Sequence, residues 1–313
     1  MCTAISYMHY FGRNLDLETD YGQYVTVIPR NLPVAGMQHH YSIIGIGIVR
    51  MGYPLLFDGT NECGLSCAAL NFPGNAVYYP PKEGKNNIPS YDLISYVLSR
   101  CSSCDEAHTL LRNAVVTEER FDDTLPPTPL HWIIADNEAS VVVESTKEGL
   151  QIFDNPVGLL TNNPPFPFQM TTLCNYMHVS ADDVSNNIAP GIPLQAYSRG
   201  MGAMGLPGDF SSSSRFVRAV FAKYASKPNA DNLSQFFHLL NYVEQVDGCV
   251  PVGEKFQKTI YSACCDTRTG IYYYTTYNNR QITAVDMRKT DLNSFSLSTF
   301  PLITEQQIRL ENE

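Results

Sequence analysis

Strand-like runs occupy both ends of this chain and two pairs of amphipathic helices lie between them, an order that few architectures accept. Residues 2–7, 10–14, 24–29, 42–50 and 65–72 are short, rich in Val, Ile and Tyr, and read as strands. Helical spacing follows at 90–100, where Leu93, Tyr96 and Val97 share a face, and again from Ser103, which opens an S-x-x-E capping box with Glu106. Residues 130–135 and 141–144 predict a hairpin around Asp136-Asn137, with a further strand at 150–153. A stretch rich in Pro and Gly, 155–209, reads as irregular. Two more helices, 212–225 and 232–243, each place their apolar residues on one side. Residues 259–266, 271–277 and 281–287 predict an antiparallel meander. Strands bracketing helix pairs, with hairpins dominant, indicate an α+β fold with mostly antiparallel sheets. No composition break divides the chain, so a single domain over 1–313 is expected.

Bulk properties narrow the function. The net charge of −10 excludes nucleic acid as the expected partner, because phosphate repels an acidic surface. No apolar run approaches membrane-spanning length and the start lacks a secretory pattern, so neither a membrane span nor a signal peptide is expected. The nine cysteines, an odd number, argue against a disulfide framework and for a cytoplasmic location. Gly200-Met-Gly-Ala-Met-Gly205 matches a dinucleotide fingerprint literally but lies outside any βαβ unit. Cys101-Ser-Ser-Cys104 has metal-like spacing without a second pair.

Cys2 is the candidate nucleophile. Methionine is normally trimmed before a small second residue, and its removal leaves Cys2 with a free α-amine. That amine has a reference pKa of about 7.7–8.0 and the thiol about 8.5, so one residue carries a nucleophile and a base near neutrality. An N-terminal amine that activates its own side chain is a known answer to weak nucleophilicity.

The surrounding motifs sharpen this reading. Met1-Cys-Thr-Ala-Ile-Ser and Phe11-Gly-Arg-Asn-Leu-Asp16 resemble the opening of the choloylglycine hydrolase family, which includes bile salt hydrolases and penicillin V acylases. Asp58-Gly-Thr-Asn-Glu-Cys-Gly-Leu65, Leu70-Asn-Phe-Pro73, Leu160-Thr-Asn-Asn-Pro164 and Gly205-Leu-Pro-Gly-Asp-Phe210 running into Ser214-Arg-Phe216 are similar to further family segments, in order. The resemblance implies a four-layer αββα N-terminal nucleophile fold, commonly a homotetramer. It implies Cys2 as nucleophile and Arg13 beside it favouring thiolate. Asp16 would accept from the Cys2 amine. The Asn162 side chain and the Asn71 backbone would donate to the oxyanion, and Arg215 would organise the charges. Amide hydrolysis passes through an oxyanion that needs such donors, and no metal or organic cofactor is called for.

Asn71 is similar to the bile-salt branch, which implies a glycine- or taurine-conjugated bile salt as small-molecule partner. Residues 121–129 and 21–24 resemble loops lining the steroid pocket. Penicillin V and acyl-homoserine lactones are the competing amides. One departure stands out: only residues 7–10 separate Ser6 from Phe11, about five fewer than in relatives, and none of them is a favoured turn former. This predicts either an unusually tight turn or disturbed hydrogen bonding around Cys2, the latter giving an inactive bile-acid-binding protein.

Overall fold

The computed structural model describes residues 1–228 and 232–312. In chain order its strands are β1 (Cys2–Tyr7), β2 (Tyr10–Leu17), β3 (Tyr24–Ile28), β4 (Ile43–Arg50), β5 (Tyr53–Asn61), β6 (Ser66–Asn71), β7 (Asn86–Pro89), β8 (Ala114–Thr117), β9 (Leu130–Ala135), β10 (Ser140–Thr146), β11 (Gly149–Asp154), β12 (Leu159–Leu160), β13 (Val250–Val252), β14 (Lys255–Asp266), β15 (Ile271–Thr276), β16 (Thr283–Asp286) and β17 (Ser298–Pro301). The helices are α1 (Leu93–Leu98), α2 (Cys104–Leu111), α3 (Phe166–Leu173), α4 (Ser212–Ala225) and α5 (Asn232–Asn241).

Two antiparallel sheets form the centre. One runs β12-β1-β2-β14-β15-β16, with β13 on β14; the other runs β11-β10-β9-β6-β5-β4-β3-β17. Among the described strand pairings only the small β7–β8 ribbon is parallel, and an isolated parallel bridge joins Tyr79 to Thr117. The sheets face each other through β1, β2 and β12 on one side and β6 and β9 on the other. Ala4, Leu15, Ile44, Leu70 and Ile133 fill this interface and are buried. α4 and α5 cover the outer face of the first sheet with Phe216, Phe236 and Leu240. α1 and α2 cover the second with Leu93, Val97, Ala107 and Leu111 against Cys67 and Ile134. The layering is therefore αββα, and strands from both chain ends share each sheet.

Local chemistry explains where the elements begin. The Ser103 hydroxyl accepts from the Glu106 backbone N–H and caps α2, while Glu106 folds back onto the Ser102 N–H rather than that of Ser103. Ser211 caps α4 in the same way through Ser214 N–H. The hairpin at residues 7–10 resolves as a two-residue turn, with Tyr7 paired to Tyr10 and Met8 at φ 55°. A positive φ on the first turn residue matches right-handed strand twist, and here a methionine takes a place glycine normally fills. Register is intact down to Cys2, which pairs with Leu15.

Several elements escaped the sequence pattern. β5 carries Pro54 and Asp58-Gly59, which read as turn formers, yet it is held between β4 and β6. α3 lies inside the stretch expected to be irregular; its prolines sit at the first turn, where a missing N–H costs nothing. β2 continues past Asn14, which places Asp16 in the strand.

Asp92, at the head of α1, gives a first test of this packing. Burial pushes its carboxyl up to about 6, although Tyr53 Oη donates to Oδ1 at 2.6 Å and Arg100 lies nearby. The native state thus binds this proton more tightly than the unfolded chain. The resulting stability is present below about pH 4 and lost as pH rises to about 6. Asp92→Asn is expected to raise stability at pH 7.5 by roughly 2 kcal/mol and to change little at pH 3.5. Equal melting temperatures of the two proteins at pH 7.5 would contradict this.

Candidate nucleophile site

β1 delivers Cys2 to a buried position between the two sheets. Its backbone N–H donates to Asn162 Oδ1 at 2.6 Å, and its carbonyl accepts from Arg215 Nη1 at 2.7 Å. Arg215 enters from the first turn of α4 and is fully buried. It also donates from Nη1 to Thr3 Oγ1 and from Nη2 to Asn162 Oδ1 at 3.0 Å. One guanidinium therefore ties the first strand to the segment after β12, with the planar donor fork that only arginine offers.

Asp16 lies within 3.8 Å of Arg215, both without exposure. Burial pushes the Asp16 carboxyl up and the Arg215 guanidinium down, and each resists the shift of the other by Coulombic attraction. Asp16 Oδ1 accepts from Thr259 Oγ1 at 2.7 Å, whereas Oδ2 has no hydrogen-bond partner. In this Met1-bearing chain the terminal amine belongs to Met1 and donates to the Asp16 backbone carbonyl and, at 3.1 Å, to Gln257 Oε1. The expected hydrogen bond from the Cys2 amine to the Asp16 side chain is thus not formed here, because that nitrogen is still an amide. Oδ2 faces Arg215 Nη1 at 3.8 Å without a hydrogen bond.

Arg13 is buried rather than at the surface. Its Nη1 donates to the carbonyls of Phe57 (2.8 Å) and Ala69 (2.7 Å), and Nη2 has no partner. Burial opposes its charge, but the attraction of Cys2, Tyr261 and Asp58 outweighs that and holds the guanidinium above its ordinary value. Asp58 in turn accepts from the hydroxyls of Tyr261, at 2.9 Å, and Tyr272.

Asn71 ends β6 and its carbonyl accepts from Asn162 Nδ2 at 2.8 Å. A primary amide carries two N–H groups, so one remains beyond this bond. Five of the six residues singled out in the sequence are linked by hydrogen bonds or the Asp16–Arg215 ion pair, and Arg13 reaches Cys2 and Asp16 through charge alone. Sequence reasoning missed Asp58, Tyr261, Tyr272, Thr259 and Gln257. Asp58 alone left a signal, a carboxylate inside a quoted motif; the others arrive from β14 and β15, far along the chain.

The family model described as linear amide C–N hydrolases, choloylglycine hydrolase family, matches residues 2–300. The bile salt hydrolase/transferase of Lactiplantibacillus plantarum is 46% identical over 319 residues, covering 98% of each chain. That of Clostridium perfringens is 39% identical over 317 residues, covering 96% of each. Among solved structures, a variant of the conjugated bile acid hydrolase from Clostridium perfringens superposes with a TM-score of 0.93 at 37% identity, with 100% of both chains covered. Penicillin V acylase from Agrobacterium tumefaciens shares the fold at a TM-score of 0.73 and 18% identity, over 96% of this chain and 90% of that one. With its opening cysteine held by Arg215 and Asn162 and its length matched almost end to end, the chain belongs to the choloylglycine hydrolase family, hydrolases of linear amide carbon–nitrogen bonds.

Proposed function

We propose that this protein hydrolyses glycine- or taurine-conjugated bile salts, with Cys2 as the nucleophile. The observation that carries the reading is a shared wall. Phe57 and Ala69, whose carbonyls accept from Arg13, also line an apolar cleft with Leu55, Ile94, Phe121 and Leu125. A steroid presents a large apolar face, and this apolar cleft, which shares Phe57 and Ala69 with the acceptors of Arg13, suits it. The Tyr21 ring lies 6.4 Å from that of Phe57 and extends this wall, while Tyr24 lines a separate hollow with Gln23 and Ile260. The bile-salt enzymes named among the relatives support the same substrate class.

In the mature form the Cys2 amine takes the thiol proton and the sulfur bonds to the amide carbon. The oxyanion receives N–H groups from Asn162 and from the Asn71 backbone. Collapse breaks the carbon–nitrogen bond, and the proton passes from the amine to the leaving glycine or taurine. Water then hydrolyses the thioester. Arg13 keeps a buried positive charge within Coulombic reach of Cys2, Asp16 orients the amine, and Arg215 holds both strands in place. The intact β1–β2 register favours turnover over an inactive binding role. A second reading is acyl transfer, favoured by the hydrolase/transferase names of the relatives: an amine in place of water would take the acyl group. The protein acts as a single domain, in the cytoplasm, as a homotetramer.

Incubation with glycocholate and with taurocholate is expected to release free amino acid from at least one, and to turn over penicillin V more slowly than that bile salt. Penicillin V turnover without release from either bile salt would reverse the substrate assignment.

A further inference from the structure

His131 on β9 and Glu144 on β10 are wholly buried and face each other, with Nδ1 3.1 Å from Glu144 Oε1. A buried ionisable pair is expensive, and apolar side chains of similar volume generally serve stability as well. What this pair touches suggests another use. His131 Nε2 donates to the Thr161 carbonyl at 2.8 Å, one peptide unit before Asn162. The same ring stacks on Phe72 at 4.2 Å and 6°, directly after Asn71. Glu144 Oε1 also accepts from the Phe166 backbone N–H at 3.0 Å and so fixes the start of α3. Both ring nitrogens face oxygens: Nε2 donates to the Thr161 carbonyl and Nδ1 meets Glu144 Oε1. Two hydrogen bonds and a stack leave the imidazole a single orientation.

We propose that His131 and Glu144 form a positioning pair for the oxyanion site, locking Asn162 through Thr161 and Asn71 through Phe72. Neither residue touches substrate. The proposal rests on the reading of Asn162 and Asn71 as the oxyanion donors. The Asn162 Nδ2 bond to the Asn71 carbonyl is a direct link between the two, and His131 braces each side of it. Donors in such a site act through placement, and an error of about 1 Å is worth roughly 10²-fold in rate.

The test compares His131→Asn, His131→Gln and Asn162→Ala for bile-salt hydrolysis and for Cys2 alkylation by iodoacetamide. Alkylation needs a reactive thiolate but no oxyanion donor. Asparagine keeps a donor towards Glu144 only; glutamine keeps one towards the Thr161 carbonyl. His131→Asn is expected to lose roughly 100-fold in kcat with KM and alkylation rate within about threefold of wild type. His131→Gln is expected to regain roughly tenfold of that loss. A His131→Asn kcat within about threefold of wild type would overturn the proposal while Asn162→Ala still falls. So would equal losses in both His131 variants, or alkylation falling in step with kcat. Undiminished kcat in Asn162→Ala would instead overturn the oxyanion reading, and the proposal with it. Should His131→Asn fail to fold, Phe72→Leu, which removes the stack alone, is expected to lower kcat at constant KM; unchanged kcat there overturns the proposal.

Discussion

Cys2→Ala protein is expected to lose bile-salt hydrolysis by roughly 10⁴–10⁶-fold in kcat while still binding the substrate, which makes it the largest single effect on activity. The loss has two sources. Alanine removes the sulfur that forms the acyl bond, and no second nucleophile is held in its place: the hydroxyl of Thr3, next along the strand, accepts from Arg215 and is buried. Substrate contact is spared because the cleft of Leu55, Phe57, Ile94 and Phe121 stands on β5, α1 and the loop before β9. A form with an N-terminal extension that cannot be trimmed is expected to match the alanine variant closely. Its Cys2 nitrogen stays an amide donating to Asn162 Oδ1, and an amide cannot take the thiol proton. Intact mass, initial rates and calorimetric binding of taurocholate read these outcomes. Sustained turnover by either form would remove Cys2 as the nucleophile.

How much of this site was legible in the sequence depends on how each contact is made. Cys2 was readable from its place after Met1, whereas Arg13 and Asp16 were named through family resemblance, the expected strand having stopped at residue 14. Arg215 and Asn162 were readable through resemblance; their convergence on Cys2 depends on α4 and β12 packing against β1. The pair of His131 and Glu144 left no local mark, since each sits among apolar strand residues and each finds its partner across a strand pairing. Thr259 meets Asp16 by the long-range pairing of β14 with β2, and Tyr261 meets Asp58 of β5 across the two packed sheets; no spacing encodes either. The tight turn at Met8 was visible as an anomaly, and the sequence pattern could not choose between its two outcomes. A positive φ on a methionine is a local cost that the surrounding ladder of β1 and β2 overrides. Element order indicated the α+β class with mostly antiparallel sheets, the αββα layering came through the family resemblance, and β5 was hidden by its own proline and glycine.

Arg215→Met is expected to have the largest effect on stability, lowering the unfolding free energy by about 3–5 kcal/mol, because it leaves Asp16 as an uncompensated buried charge. For a chain of this size that corresponds to a fall in melting temperature on the order of 10 °C. Four acceptors lose a bond to this guanidinium in the same step: the Cys2 and Phe210 carbonyls, Thr3 Oγ1, and Asn162 Oδ1, which keeps the Cys2 N–H. The pH dependence follows from Asp16. Its carboxyl is already raised by burial, with Arg215 the strongest counterweight. Removing the cation raises it further, so the native variant favours the protonated acid. A folded-state value above the unfolded one gives stability that is present at low pH and lost as pH rises. The deficit of Arg215→Met is therefore expected to be smallest near pH 4 and to widen towards neutrality. Asp16→Asn combined with Arg215→Met removes both charges and is expected to recover at least half of the lost stability at pH 7. Activity is not expected to return with it, since the double variant still lacks the donor fork that ties Cys2 to Asn162. Thermal denaturation of the three proteins between pH 4 and 8, read beside their rates, separates these effects. A single Arg215→Met variant as stable as wild type at pH 7 would show that Asp16 is not held as a buried anion by this arginine.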